Sequence, residues 1–356
     1  MAPRTTYCAD PGTLAEAIST LSTLPAILLD CEARELGMPG GALSLLSLSD
    51  IAASHIFLID VLAFPSPSPS PADGDTPRVP HPALLPLLTL LTTPTPLKVV
   101  WDGRADALEL LLTYALPFPT SCSSSPPRPL VLTPVLDLQL IEVTARARDT
   151  RPNACARRLD ELTKGAFAPI ASTVRADPAA FDGVWKLRGL GQIVRLLRLG
   201  DGSLDQKDPE VVAMHQRSDS SLWMARPLPA YLQRYAAHDL ALIALVYAHF
   251  LGKDWVCAQL PALRAQSERY VGMFRTREEH ARYAALGLKA FMPLEFLELA
   301  DAEGLTCACA RCGRELSASC FVCKRTAKGQ QRLSYCRLCE PLAHKNGETR
   351  GVWVGL

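Results

Sequence analysis

Five residues of this chain carry oxygen side chains that could serve a divalent-metal site: Asp30, Glu32, Asp106, Tyr235 and Asp239. In "ILLDCEARELG" an apolar run reaches Asp30, skips Cys31 and lands on Glu32. Strand side chains alternate faces, so the two carboxylates point one way and Cys31 the other. Adjacent carboxylates repel unless a cation lies between them, and a hard ion with oxygen ligands, Mg²⁺ or Mn²⁺, suits the pair. A bare D-x-E also fits a solvated strand end. Asp106, in "VVWDGRADALELL", opens a helix, where the helix dipole alone favours a carboxylate. Asp102 competes for its role. Tyr235 and Asp239, in "RYAAHDLALIALVY", are four residues apart and share a helix face. His238 and His280 are acid–base candidates that surface or packing roles also explain.

A second chemistry sits in the cysteines. Five of the twelve are scattered, at Cys8, Cys31, Cys122, Cys155 and Cys257, and seven crowd between Cys307 and Cys339. The crowd contains the knuckles Cys309–Cys312, Cys320–Cys323 and Cys336–Cys339. One C-x-x-C knuckle offers two thiolates to Zn²⁺, and two complete a tetrahedron. Thiolate ligands point to a reducing compartment, cytoplasm or nucleus. The 23 residues between Cys312 and Cys336 exceed the usual ~15–20, so Cys320–Cys323 competes as a partner knuckle. A second zinc on Cys307, Cys320, Cys323 and His344 stays open. Between Cys307 and Arg350 nine Lys/Arg stand against three Glu, a local net of +6. That fits a solvated surface. It equally fits a nucleic-acid or partner-docking knuckle, with Phe321 or Tyr335 available for stacking.

The elements that must position these groups follow from periodicity. Apolar runs predict strands over 26–33, 42–49, 55–61 and 97–102, and helices over 83–93 and 105–116. "LVLTPVLDLQLIEVTARA" predicts a short strand running into a helix at about Asp137. Three strands followed by helix–strand–helix–strand imply one mixed sheet with helices on its faces. Residues 150–300 look mainly helical, with a strong helix over 230–250 and a helical pattern over 264–299. Proline- and serine-rich stretches at 65–82 and 117–129 are expected to be soft loops. No solenoid repeat is visible. Length (356 residues) and apolar content (48%) allow one large domain with an appendage, or two domains. Net charge is +1, which excludes a general polycation but not a local basic patch. No apolar run reaches 18 residues and the N-terminus lacks a signal-peptide layout, so no membrane association is expected.

Together the acidic residues and their surroundings resemble the DEDD superfamily of 3′–5′ exonucleases, in its tyrosine subclass (DEDDy) and RNase D-like, Egalitarian-like branch. Asp30 and Glu32 match the first motif, Asp106 the second, and Tyr235 with Asp239 the third. "LWMARPLPAYLQRYAAHDLALIAL" is similar to the family's W-x-x-R-P-L…Y-A-A-x-D segment. "LDLQL" resembles its D-T-Q stretch with Leu138 for threonine, and "WKLRGLGQIVRLL" the helix before the third motif. Ala33 and Trp101 stand where relatives often carry glycine and histidine, and the interval from Asp106 to Tyr235 is long. The resemblance spans roughly residues 24–251. It implies an RNase H-like mixed five-stranded sheet with the second strand antiparallel.

It also implies two-metal hydrolysis of nucleic acid, RNA or DNA, from a single-stranded 3′ end, releasing nucleoside 5′-monophosphates. Asp30, Glu32 and Asp239 would hold one ion, Asp30 would bridge to a second that Asp106 supports through water, and Tyr235 would orient the attacking water. "CARCGREL…YCRLC" resembles the zinc knuckle that follows the nuclease domain in some relatives, which implies zinc on Cys309, Cys312, Cys336 and Cys339. The expected organisation is an exonuclease domain over 1–300 (core 24–251, insertion 65–82, helical extension 252–300) and a zinc module over 305–356. The filled carboxylate set favours an active enzyme over a silent nucleic-acid-binding scaffold of the same fold. A zinc-based ubiquitin-type adaptor lacks the interleaved histidines.

Overall fold

The computed structural model describes residues 3–67, 76–117, 127–200, 220–296, 305–327 and 329–356. They form two compact units, Met1–Ile141 with Gly189–Ala281, and Glu142–Arg188 with Arg282–Leu356.

The first unit is built on a sheet of six strands: β1 (Arg4–Cys8), β2 (Ala26–Arg34), β3 (Ala42–Asp50), β4 (His55–Asp60), β5 (Leu97–Val100) and β8 (Val135–Asp137). Their order is β1-β4-β3-β2-β5-β8. Only β3 runs antiparallel to its neighbours, as expected of the second strand in the resembled fold. β1 adds a sixth strand to the expected five. It is polar and half exposed at the sheet edge, so it lacks the apolar run that betrays a central strand. The helix Pro11–Leu21 follows it, capped by Asp10, whose Oδ1 accepts from the N–H groups of Gly12 and Thr13 at 2.8 and 3.1 Å. Its Leu14, Ala17 and Leu21 join Ile27, Leu29, Cys31, Leu46 and Phe57 in the core. A short ribbon, β6 (Ala115–Leu116) with β7 (Arg128–Pro129), closes the helix Arg104–Thr113.

Asp137 ends β8 and starts the helix Leu138–Ala147. Its carboxylate, fully buried, accepts from the N–H groups of Gln139, Leu140 and Gly103. Desolvation outweighs those bonds and, with nearby Asp102, lifts its pKa to about 7. The folded state therefore holds this proton more tightly than the unfolded chain. Wild type should lose stability as pH rises from about 4 to 7. The stability of Asp137→Asn relative to wild type is expected to rise between pH 5 and pH 8, read from urea midpoints.

The helical pattern over 264–299 is broken by the tertiary structure. The described helices there are Asp254–Val271 and Arg277–Ala285, separated at Gly272, and the rest of the pattern lies partly outside the described residues. No single described helix is long and apolar enough to cross a membrane.

The second unit packs Phe167 against Phe291 and Phe181, with ring centroids 5.2 and 5.7 Å apart. Trp185 precedes the helix Leu190–Leu197, and the guanidinium of Arg146 lies 5.5 Å and that of Arg158 5.4 Å from its ring centre. Because Glu142–Arg188 belongs to this unit, it accounts for much of the long interval between Asp106 and Tyr235. The unit also holds a ribbon of β9 (Thr306–Ala308) and β10 (Glu315–Ser317). Beside it lie a sheet of β11 (Phe321–Thr326), β12 (Gly329–Cys336) and β13 (Trp353–Gly355), and the helix Cys339–Lys345. The boundary expected near Gly304 lies outside the described residues.

Candidate active site

β2 carries the first two carboxylates out of the core. Leu29 and Cys31 are buried at 1% and 2% exposure, while Asp30 and Glu32, on the other face, are partly exposed. A bulge between Glu32 and Ala33 shifts the register with β3, and pairing continues at Ala33–Leu43 and Arg34–Ala42. The helix Ala230–Leu251 packs on the same sheet through Leu232, Ala236, Leu240 and Ile243 and brings Asp239 to the pair. Carboxylate oxygens of Asp30, Glu32 and Asp239 lie within 4.8 Å of one another.

Asp106, in the first turn of the helix Arg104–Thr113, is 5% exposed, and its Oδ1 accepts from the Cys31 N–H at 2.8 Å. It thus braces the strand between the two ligand positions and stands outside the three-carboxylate group. Tyr235 lies one turn before Asp239, its ring 6.3 Å from that of Trp223.

The electrostatics are those of a tight acidic cluster. Burial first, then Asp106 and Asp239, push the Asp30 carboxyl well above its usual range. Burial, then Asp30, Asp239 and Asp106, do the same to Glu32. Burial lifts Asp106 to about 7. Burial and the Asp239 charge raise the Tyr235 phenol. Glu32 Oε1 is buried with no hydrogen-bond partner. A buried carboxylate oxygen left unsatisfied among like charges is costly, and a divalent cation would satisfy it. The donor set therefore fits Mg²⁺ or Mn²⁺.

The competitors settle elsewhere. Asp102, at φ +54°, is gripped by Arg104 at 2.5 and 2.9 Å. His280 is 6% exposed and its Nδ1 lies 2.9 Å from the Gly37 carbonyl, a packing role. His238 lines a cavity of about 470 Å³ with Thr5, Tyr7 and Gln233.

Two braces escaped the sequence reading. Arg226 binds Asp60 through Nε and Nη2 at 2.7 and 2.6 Å, and Tyr7 donates to the same carboxylate at 2.6 Å. The pair ties the segment carrying Trp223 to β4. Its signal was present in "RPL", where the arginine had no assigned partner. Glu109, fully buried, accepts from Arg277 Nη2 at 2.7 Å and from the N–H of Gly37, in the loop that follows β2. Removing one member of a buried pair strands the other, so Arg277→Met is expected to cost about 3–5 kcal/mol. Urea unfolding measures this, and adding Glu109→Gln should recover part of it.

In the second unit the Sγ atoms of Cys309, Cys312, Cys336 and Cys339 lie within 4.8 Å of one another. Gly313, at φ +74°, turns the first knuckle, and its N–H reaches the Cys309 carbonyl at 2.8 Å. The second knuckle leads into the helix Cys339–Lys345, with the Cys339 N–H 3.4 Å from Cys336 Sγ. The Cys309 thiol is lowered by Cys312, Cys336 and Cys339, while Cys336 and Cys339 are raised, first by Cys309. Four thiols so close cannot all ionise without a cation. Tetrahedral zinc, with Zn–S of about 2.3 Å, sets sulfurs about 3.8 Å apart, within this spacing. Among the described residues, Cys307, Cys320, Cys323 and His344 form no comparable group. Phe321 is fully buried beneath the Arg332 guanidinium, so it is not available for stacking.

No protein-family model matches this chain, and no curated protein sequence matches it. Solved structures do. Trypanosoma brucei RNase D superposes with a TM-score of 0.51 at 21% identity, over 78% of this chain and 74% of that one. Its GMP complex superposes with 0.50 at 20% identity, over 77% of this chain and 65% of that one. Escherichia coli RNase D, described as an exoribonuclease involved in structured RNA processing, reaches 0.44 at 18% identity, over 80% and 54%. The likeness establishes the fold: a mixed sheet flanked by helices, as in RNase D-like exonucleases.

Proposed function

We propose that this chain is a 3′–5′ exonuclease of the tyrosine (DEDDy) type, hydrolysing phosphodiester bonds at single-stranded 3′ ends and releasing nucleoside 5′-monophosphates. One observation carries the reading. Asp30, Glu32 and Asp239, from two distant segments, converge within 4.8 Å around a buried, unpartnered Glu32 oxygen. Two bound Mg²⁺ or Mn²⁺ ions would supply an ionised attacking water and charge relief on the leaving 3′-oxygen. Asp30, Glu32 and Asp239 would hold these ions. Asp106, which accepts from the Cys31 N–H, would add its charge to their site. Tyr235, its phenol kept protonated by burial, orients the attacking water by hydrogen bond and does not act as a base. The Trypanosoma structure that holds GMP is a fold relative whose ligand has the chemistry of the product assigned here.

Zinc on Cys309, Cys312, Cys336 and Cys339 is the structural ion of this reading, and a reducing compartment, cytoplasm or nucleus, its setting. The test is degradation of matched 5′-labelled RNA and DNA oligonucleotides with Mg²⁺, Mn²⁺ or chelator. A ladder shortening from the 3′ end is expected only with metal. Protein inert on both nucleic acids would sink the enzyme reading and leave the silent scaffold.

A further inference from the structure

One face of the three-stranded sheet of the second unit is only partly covered: Lys324 and Trp353 are exposed, and Gln331, Leu333 and Tyr335 half-buried. In its register, Trp353 lies opposite Leu333 and Lys324 opposite Gln331. Alternation then puts Lys324, Gln331, Leu333, Tyr335 and Trp353 on one face. Trp353 is 40% exposed, and Lys324 Nζ stands 3.8 Å from its ring centre. A tryptophan left at the surface with an ammonium against it is unusual for a module this short of apolar residues.

The module's charges are not equivalent. Arg311 is paired with Glu348, Arg314 with Glu295, and Arg350 with Glu340. Arg337 serves the carbonyls of Ser319, Phe321 and Ala179. Those four cations hold the fold together. Lys324 and Arg325 are exposed and form no ion pair among the described residues. Residues 321–336 and 351–356 contain no Asp or Glu at all.

We infer that this face binds single-stranded nucleic acid, with a base displacing Lys324 from the ring of Trp353 and stacking there, a second base within reach of Tyr335, and the displaced Lys324 on a phosphate. An aromatic platform with an unpaired cation against it, and no carboxylate in the strands, is complementary to a polyanion with exposed bases. An acidic protein is a poorer match, because every nucleotide carries both a phosphate and a ring to stack, whereas carboxylate side chains carry charge alone. The surface belongs to the second unit and the acidic residues to the first, and the inference holds whether or not the chain cleaves.

The test is fluorescence anisotropy of labelled 15-nucleotide oligouridylate and oligothymidylate with the full chain in the Asp30→Asn background, without added divalent ions or chelator. Trp353→Ala is expected to weaken binding about tenfold, and Trp353→Phe to keep most of the affinity. Lys324→Gln, a surface change that leaves folding untouched, is expected to reduce the slope of log K against log salt by about 0.7. Unchanged affinity in Trp353→Ala that retains its zinc overturns the inference, as does an unchanged salt slope in Lys324→Gln. Equal losses on blunt duplex would overturn it too, since paired bases cannot stack on the ring. A dimer that Trp353→Ala converts to monomer in the absence of oligonucleotide would assign the face to a second copy instead.

Discussion

Asp30→Asn and Asp239→Asn are expected to lose at least about a thousandfold in metal-dependent degradation while melting above wild type when divalent ions are absent. The first half follows from the metals' share of the barrier, several kcal/mol at about 1.4 kcal/mol per tenfold. The second follows from the cluster itself. Three carboxylates within 4.8 Å repel, by about 3–4 kcal/mol per fully ionised pair at an effective dielectric near 20. Protonation already relieves part of this, because burial and the neighbouring charges raise Asp30 and Glu32. A net gain of about 1–2 kcal/mol, a few degrees in Tm, is what remains for the variant. The sign follows from linkage. A raised folded-state pKa means wild type is most stable in acid and loses stability as pH rises, so the variant's advantage should grow with pH. Adding Mg²⁺ should raise the Tm of wild type and leave the variants unmoved. A variant that melts well below wild type at pH 8, or that still responds to Mg²⁺, would show that these carboxylates hold the fold and not an ion.

The cysteine cluster should give the largest stability effect. Structural zinc in small modules contributes about 10–16 kcal/mol to folding. Cys309→Ser or Cys336→Ser is therefore expected to release the ion and unfold β9–β13 with the helix Cys339–Lys345. Cys320→Ser and Cys323→Ser, outside the four-sulfur group, should retain it. Native mass spectrometry counts the ions and circular dichroism follows the module under chelator. One zinc per chain in wild type, none in the first pair and one in the second is the expected pattern. Zinc lost from Cys320→Ser but kept in Cys309→Ser would reverse the ligand assignment.

β2, β3, β4 and β5 were legible because a buried strand must be an apolar run, whatever surrounds it. β1 was not, since an edge strand buries one face only and its polar residues carry no period. The helix Ala230–Leu251 was legible from end to end, while the pattern after it hid a break at Gly272. Periodicity states which face is apolar and not where the chain turns. The RPL arginine, Arg226, and the pair Glu109–Arg277 looked like ordinary charges on segments far apart in sequence, and only folding brought their partners into contact.

By itself the sequence determined what is local: that Asp30 and Glu32 share a strand face, that Tyr235 and Asp239 share a helix face, and that each C-x-x-C sets two thiols within a few residues of each other. Those relations follow from backbone geometry over a few residues. Only the tertiary structure decided that Asp239 completes the Asp30–Glu32 pair, that Asp106 turns to the Cys31 amide, and that Cys309–Cys312 joins Cys336–Cys339. It also decided that Phe321 is buried and Trp353 exposed. Convergence of distant segments is set by how whole faces pack, and no short window of residues contains that information.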